Sequence, residues 1–459
     1  MKLVLPFGLD IPVLYVNPPI NEDAGLIEEV SRAGGLGIVD HATSGPVDFQ
    51  VPSDVPHGLR VTLRELRELN TTPNVRLALI PLGDAELLST LEPAGLKSLP
   101  VPVLVEVGSG RQAQEAERAG AAGLVARGNE GPGWVSETSG FVLLQEILAA
   151  SELPLFLQGG VGLHTAAGAL AAGATGVVLD VHLLLSEGSA ISRSLKDFLT
   201  ALSLPATVTL AEGSSRPLRV YSRVGARMVR ELRKHEESLT PEDFPAYFER
   251  LENILRNPAG SPDSDEMLLA ISEDIVTAKG LSKQFGTATS IIAAFGGKMS
   301  EPMAKWPFDE GSEVCRMHGT RFPIVQGPMA HVSDNPDFLS AVAQGGALPF
   351  LAMGNMPGPI AREGIGLAAE KTGGKFGVGL IGLEVNRKCY EAHLEIMTEN
   401  PPPFAILAAG GVELAKRIES IGTACYLHCP SPAILAEGLK SGLRRFVFEG
   451  GESGGHIGS

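Results

Sequence analysis

The chain has 459 residues, a formal net charge of −16 and 44% hydrophobic residues, with 55 glycines and only 5% aromatics. That length allows two or three domains with full cores, and the aliphatic, glycine-rich balance suits α/β layers joined by tight turns. The negative charge argues against a nucleic-acid or anionic-membrane surface, since phosphates would be repelled, and no apolar run reaches membrane-spanning length. The start of the chain is apolar but broken by Pro6, Asp10 and Pro12, so it does not read as a signal peptide. Four cysteines in so long a chain point to reduced thiols and a cytoplasmic setting.

Ile11 to Val16 reads as a first strand, Leu26 to Ala33 as a helix, and Gly34 to Val39 as a second strand. Val75 to Ile80 and Val101 to Val107 follow as strands, then a helix from Arg111 to Ala119 ended by Gly120. Gly123 to Ala126, Leu153 to Leu157 and Gly176 to Leu179 complete seven strands, with a helix from Phe141 to Ala150 among them. Short β-branched runs alternating with alanine-rich helices predict a parallel sheet, and seven or eight in series predict a TIM (β/α)8 barrel.

From about Ser186 to Gly319 the pattern changes to charged amphipathic helices, predicted over Val220 to His235 and Pro241 to Arg256, with Thr240 as N-cap. Residues 257–266 read as a linker, and Glu266 to Phe308 as mostly helical. The expected division is a first barrel over 1–190, barrel-terminal elements and a helical connector over 191–319, and part of a second barrel over 320–459.

That second part repeats the first. Val101 to Trp134 aligns without a gap on Thr423 to His456 at a constant offset of 322, and Gly34-Gly35 matches Gly345-Gly346 at an offset of 311. The chain is therefore expected to hold one complete barrel and the first five strands of a second. The repeat also removes a dinucleotide reading of Gly108-Ser-Gly110: the matching turn, Pro430-Ser-Pro432, has no glycine to admit a pyrophosphate.

The chain closes on a strand running into a glycine-rich loop, Phe446-Val-Phe-Glu-Gly-Gly-Glu-Ser-Gly-Gly-His456. Glycines let backbone lie against a ligand, while Glu449, Glu452 and His456 are groups that move protons or orient a cofactor. His428 lies between Cys425 and Cys429, but on a strand successive side chains alternate faces, so a metal is not expected and the three read as core.

Phe322-Pro-Ile-Val-Gln-Gly-Pro-Met-Ala330 together with Gly450-Gly-Glu-Ser-Gly-Gly-His456 resembles the nitronate monooxygenase (2-nitropropane dioxygenase-like) flavoproteins, which include the flavin-dependent enoyl-acyl carrier protein reductases. The resemblance covers residues 320–459 well and 3–190 more faintly. It implies FMN-binding TIM barrels. Gly327, Pro328 and Met329 would place backbone against the flavin, Gly454 and Gly455 would let a second loop approach it, and His456 would be the general acid or base. The bland alternative for His456 is a loop histidine satisfied by backbone. Glu452 is either a backbone-orienting carboxylate or a catalyst. Gly379 stands where the family often has asparagine, which puts one polar flavin contact in doubt. Glu449, in place of the glutamine typical of nitronate oxidisers, leans toward the enoyl reductases.

The first copy departs further. Trp134 stands in place of the histidine, and Asp180-Val181 in place of a phosphate-binding Gly-Thr, so this barrel is expected to be non-catalytic. The resemblance implies an FMN-dependent oxidoreductase, with NAD(P)H as hydride donor or dioxygen as oxidant. Its substrate would be small or carrier-bound, an acyl thioester or a nitronate. Further domains of a polyketide or polyunsaturated-fatty-acid synthase-like polypeptide would be its partners. With the later strands absent, the chain is expected to be an N-terminal fragment that binds FMN weakly or not at all. The alternative from another class is a non-enzymatic scaffold of two degenerate barrels.

Overall fold

Strands that are apolar on both faces persist only where both faces are covered, and eight such strands close on one another in the first part of the chain. They are β1 (Val13–Val16), β2 (Leu36–Asp40), β3 (His57–Arg60), β4 (Val75–Ile80), β5 (Val103–Val107), β6 (Gly123–Arg127), β8 (Leu155–Gln158) and β9 (Gly176–Leu179). The pairing is parallel throughout, and β9 returns to β1 through Val177 and Val13. The computed structural model describes residues 5–18, 23–44, 51–67, 72–202, 207–222, 226–256, 268–301 and 309–453. The chain divides into two units, Met1–Glu301 and Pro302–Ser459.

β3 is the strand the sequence pattern does not reveal. It reads His-Gly-Leu-Arg, without a β-branched residue, and its glycine is required by crowding. A Cβ on Gly58 would lie 3.0 Å from both Ile38 and Leu77. Alternation along each strand sends one set of side chains inward, among them Ile38, Leu77, Leu104, Val125 and Phe156, and the other set toward the helices. Phe7 plugs the N-terminal end, its ring 6.3 Å from that of Phe156.

After β9 the barrel's last helix is delayed by an insertion. Residues 181–287 intervene before the helix Ala288–Ser300 packs against the helices Ala24–Arg32 and Leu163–Ala172. Residues 191–301, expected as barrel ends and connector, therefore belong to the first unit. Within the insertion, β10 (Thr207–Leu210) and β11 (Leu218–Tyr221) pair antiparallel, and β11 pairs with β7 (Gly133–Trp134). The helix predicted to begin at Val220 begins at Arg227, because Val220 is held in the β10–β11 ladder. The next helix begins at Phe244 instead of Pro241: Asp243 accepts from the Thr240 N–H and hydroxyl, closing a turn ahead of it. The expected linker at 257–266 lies outside the described residues.

The second unit is a parallel sheet of six strands in sequence order: β12 (Val325–Gln326), β13 (Leu348–Ala352), β14 (Gly377–Ile381), β15 (Phe404–Ala408), β16 (Ala424–Cys429) and β17 (Phe446–Phe448). Six strands replace the expected five. The count taken from the first copy omitted β3, whose counterpart in chain order is β14.

Candidate active site

The C-terminal ends of the strands, where barrel enzymes carry their sites, differ sharply between the two units. In the first, the residue two positions beyond an inward apolar one is polar on strand after strand: Asp40, Arg60, Glu106, Arg127, Gln158 and Asp180. Arg60 donates to both Glu106 oxygens at 2.7 and 3.0 Å and to Asp40 at 3.0 Å. Arg127 reaches Glu106 at 3.3 Å and Gln158 at 2.7 Å, and also donates to the Trp134 and Pro132 carbonyls. Burial opposes the charge on Glu106, but Arg127 and Arg60 hold its carboxyl down at about 2. Trp134 closes the mouth, edge-on to Phe248 at 5.5 Å and with the Arg216 guanidinium 4.8 Å from its ring centre. The space left is about 20 Å3, enough for one water.

Just beyond this layer, Gly159 and Gly160 adopt left-handed φ of +97° and +68° after β8, a turn whose backbone could face an anion. Carboxylates occupy it instead. Glu130 accepts from the Gly140 N–H at 2.9 Å, and its oxygens crowd both glycines. Asp180 accepts from Val181, Gln158 and Ser272. Asp274 is buried, its Oδ2 accepting no hydrogen bond but lying 3.7 Å from His182 Nε2, and burial raises its carboxyl. Asp180, His182 and Asp274 converge, yet His182 spends both nitrogens on the protein: Nε2 lies 2.7 Å from the Val161 carbonyl, and Nδ1 accepts the Asp180 N–H at 3.2 Å. The imidazole therefore has no lone pair left for a cation.

In the second unit the corresponding layer is small. Ala352, Gly379 and Ala408 leave an open cleft of about 670 Å3, bordered also by Gly327, Pro328 and Met329 and, at its far end, by His428 and Glu449. Pro328 lies directly on Gly379; a Cβ there would come within 2.3 Å of the proline. Gly379 thus seats the β12 turn, and an asparagine would displace it. The turn is fixed by the Met329 N–H donating to Ser333 Oγ at 2.8 Å, and His331 beside it takes a left-handed φ of +65°. A strained non-glycine residue at a cleft is characteristic of functional loops.

Of the residues singled out in the sequence, Gly327, Pro328, Met329, Gly379 and Glu449 meet in this one cleft. Glu452 does not. It is exposed, in a turn closed by Ser453 N–H to Gly450 O, and is not among the residues lining the cleft. Gly454, Gly455 and His456 lie outside the described residues. The residue overlooked is His428. On β16 the buried side chains are Cys425, Leu427 and Cys429, so the cysteines face the helices while His428 faces the cleft, with Nδ1 3.2 Å from Glu449 Oε2. The offset of 322 could have found it, because it places His428 on Glu106.

The Gly108-Ser-Gly110 turn offers nothing to a dinucleotide. The Gly108 N–H donates to Gln112 and the Gly110 N–H to Glu146, both at 2.7 Å. The N–H groups that would grip a pyrophosphate are already engaged.

Residues 91–285 match the family model of the nitronate monooxygenases. That segment is nitronate monooxygenase-like. A (3aS,4S,5R,7aS)-5-hydroxy-7a-methyl-1-oxo-octahydro-1H-indene-4-carboxyl-CoA dehydrogenase from Rhodococcus jostii is 28% identical over 238 residues, covering 47% of this chain and 64% of the relative. The Mycobacterium tuberculosis protein of the same name is 26% identical, covering 46% and 63%. The chain therefore spans less than two thirds of these relatives' length. FabK from Thermotoga maritima superposes with a TM-score of 0.49 at 22% identity, over 64% of this chain and 94% of its own. A nitroalkane oxidase from Streptomyces ansochromogenes gives 0.45 at 17% identity, over 64% and 97%.

The nitronate monooxygenase-like segment lies wholly in the first unit, whereas the sequence motifs were most complete in the second. A flavin fits the two units unequally. The first has a filled mouth and carboxylates in its Gly159-Gly160 turn. In the second, backbone at Gly327–Met329 borders a cleft large enough for a tricyclic ring.

Proposed function

We propose that the protein is an FMN-dependent oxidoreductase of the nitronate monooxygenase and enoyl reductase type, with its active centre in the second unit and a non-catalytic first barrel. The observation that carries this reading is the contrast between the two strand-end layers, an ion network with about 20 Å3 of space against small residues around about 670 Å3. Gly327, Pro328 and Met329 would hold the ring through backbone, with Gly379 supporting Pro328 from beneath. The cofactor supplies a hydride acceptor or donor when bound. The chain's own residues would orient an acyl substrate against it, exclude water and carry the proton. An acyl thioester is the favoured substrate class, in keeping with the carboxyl-CoA dehydrogenases among the relatives, and NAD(P)H the favoured hydride donor. We place the protein in the cytoplasm, in keeping with its four unpaired cysteines and the lack, among the described residues, of a helix able to cross a membrane.

Fluorescence titration of FMN into the full chain tests the reading. The expected result is weak but saturable binding at one site, followed by oxidation of NADPH on addition of an enoyl-CoA. Absence of saturable flavin binding, or binding that survives blocking of the second-unit cleft, would overturn it.

A further inference from the structure

Two neighbouring strand ends hold the same places in the two sheets with different chemistry. Glu106 and Arg127 lie 3.3 Å apart in the first unit, and His428 and Glu449 lie 3.2 Å apart in the second. Glu106 pairs across the sheet with Val125, and His428 pairs with Val447, so the offset of 322 holds in register as well as in sequence. The first pair is sealed, and its arginine, a donor with no acceptor atom, is no general base. The second is partly open, at 23% and 18% exposure, and borders the cleft. A histidine, unlike the sealed arginine, is a side chain that can both take and give a proton in general acid–base chemistry.

We propose that His428, positioned by Glu449, is the acid–base residue for a carbon acid bound in the second-unit cleft. Glu449 faces Nδ1, which keeps the proton on that nitrogen and stabilises the imidazolium once it forms. Nε2 is then the atom left for the ligand. It takes the proton from the α-carbon as the C–H electron pair delocalises into the adjoining carbonyl or nitro group. In reverse it returns the proton to the carbon of the enolate or nitronate. Among the described residues, His331 and Asp334 are the other titratable groups bordering the cleft. Of the proposed function, this inference needs only that the cleft receives an acyl or nitro compound. The transfer itself requires neither flavin nor nicotinamide.

Exchange of the α-hydrogens of nitroethane for deuterium, followed by proton NMR with the full chain in D2O, tests it. The wild type should exceed the buffer rate, and His428→Ala should lose roughly 100-fold, the lower range of general-base contributions. Added imidazole should restore part of the loss, which a merely structural histidine would not allow. Glu449→Gln should lower the maximal rate about tenfold with little change in the concentration giving half-saturation. Exchange no faster than buffer would overturn the proposal. So would exchange that persists in a folded His428→Ala chain but vanishes in His456→Ala. FMN titration is read separately, so His428-dependent exchange without flavin binding would sink the proposed function and leave this inference standing.

Discussion

At the scale of single residues, Gly379 and Glu106 show how one side chain decides whether a strand end is open or closed. A Cβ on Gly379 would press on Pro328 from 2.3 Å, so Gly379→Val should push the β12 turn into the cleft proposed for the ring. The expected outcome is at least a tenfold loss of FMN affinity in fluorescence titration, with the thermal unfolding of the first unit unchanged. Glu106 is instead the central carboxylate between Arg60 and Arg127. Glu106→Gln removes the charge that Arg60 and Arg127 share and leaves Arg60 with Asp40 alone, and breaking a buried pair in this way costs on the order of 3–5 kcal/mol. Urea unfolding at pH 7 should show that loss. A change below about 1 kcal/mol would mean that the network does not stabilise the barrel.

At the scale of elements, the polar layer is a consequence of period-two alternation. Each strand spends its inner positions on apolar residues and then, at its C-terminal end, on one polar residue that must find partners there. This ties the closed mouth to pH. The Glu106 carboxyl sits at about 2 in the fold against an ordinary value of 4.5. A depressed folded value gives stability that is fully present above about pH 4.5 and is lost as pH falls through 2. The contribution is on the order of 3 kcal/mol. Unfolding free energies of wild type and Glu106→Gln should therefore converge between pH 4.5 and 2 and stay apart above that window; a constant gap would contradict the assignment.

At the scale of the whole molecule, the two units share a strand order but divide their roles. The first closes its barrel and fills the strand ends with side chains, while the second leaves a cleft open there, the one proposed for the flavin. The full chain should accordingly bind one FMN and not two. Equilibrium dialysis would check this, and a stoichiometry of two would show that the Arg60–Glu106–Arg127 network opens for a ligand.

The sequence by itself determined the parallel α/β class, because β-branched runs with helical spacers have few other ways to bury both faces. It also determined the turn at Gly327–Met329, because glycine and proline act locally. It did not disclose β3, whose four residues carry no strand signal and are held in place by the ladders to β2 and β4 on either side. Nor did it disclose His428, which read as core among cysteines until pairing with β17 brought Glu449 to within 3.2 Å of its ring. Tertiary structure alone decided which barrel mouth is closed. Asp40, Arg60, Glu106, Arg127, Gln158 and Asp180 are scattered over about 140 residues, and only the common register of a closed sheet brings them into one layer.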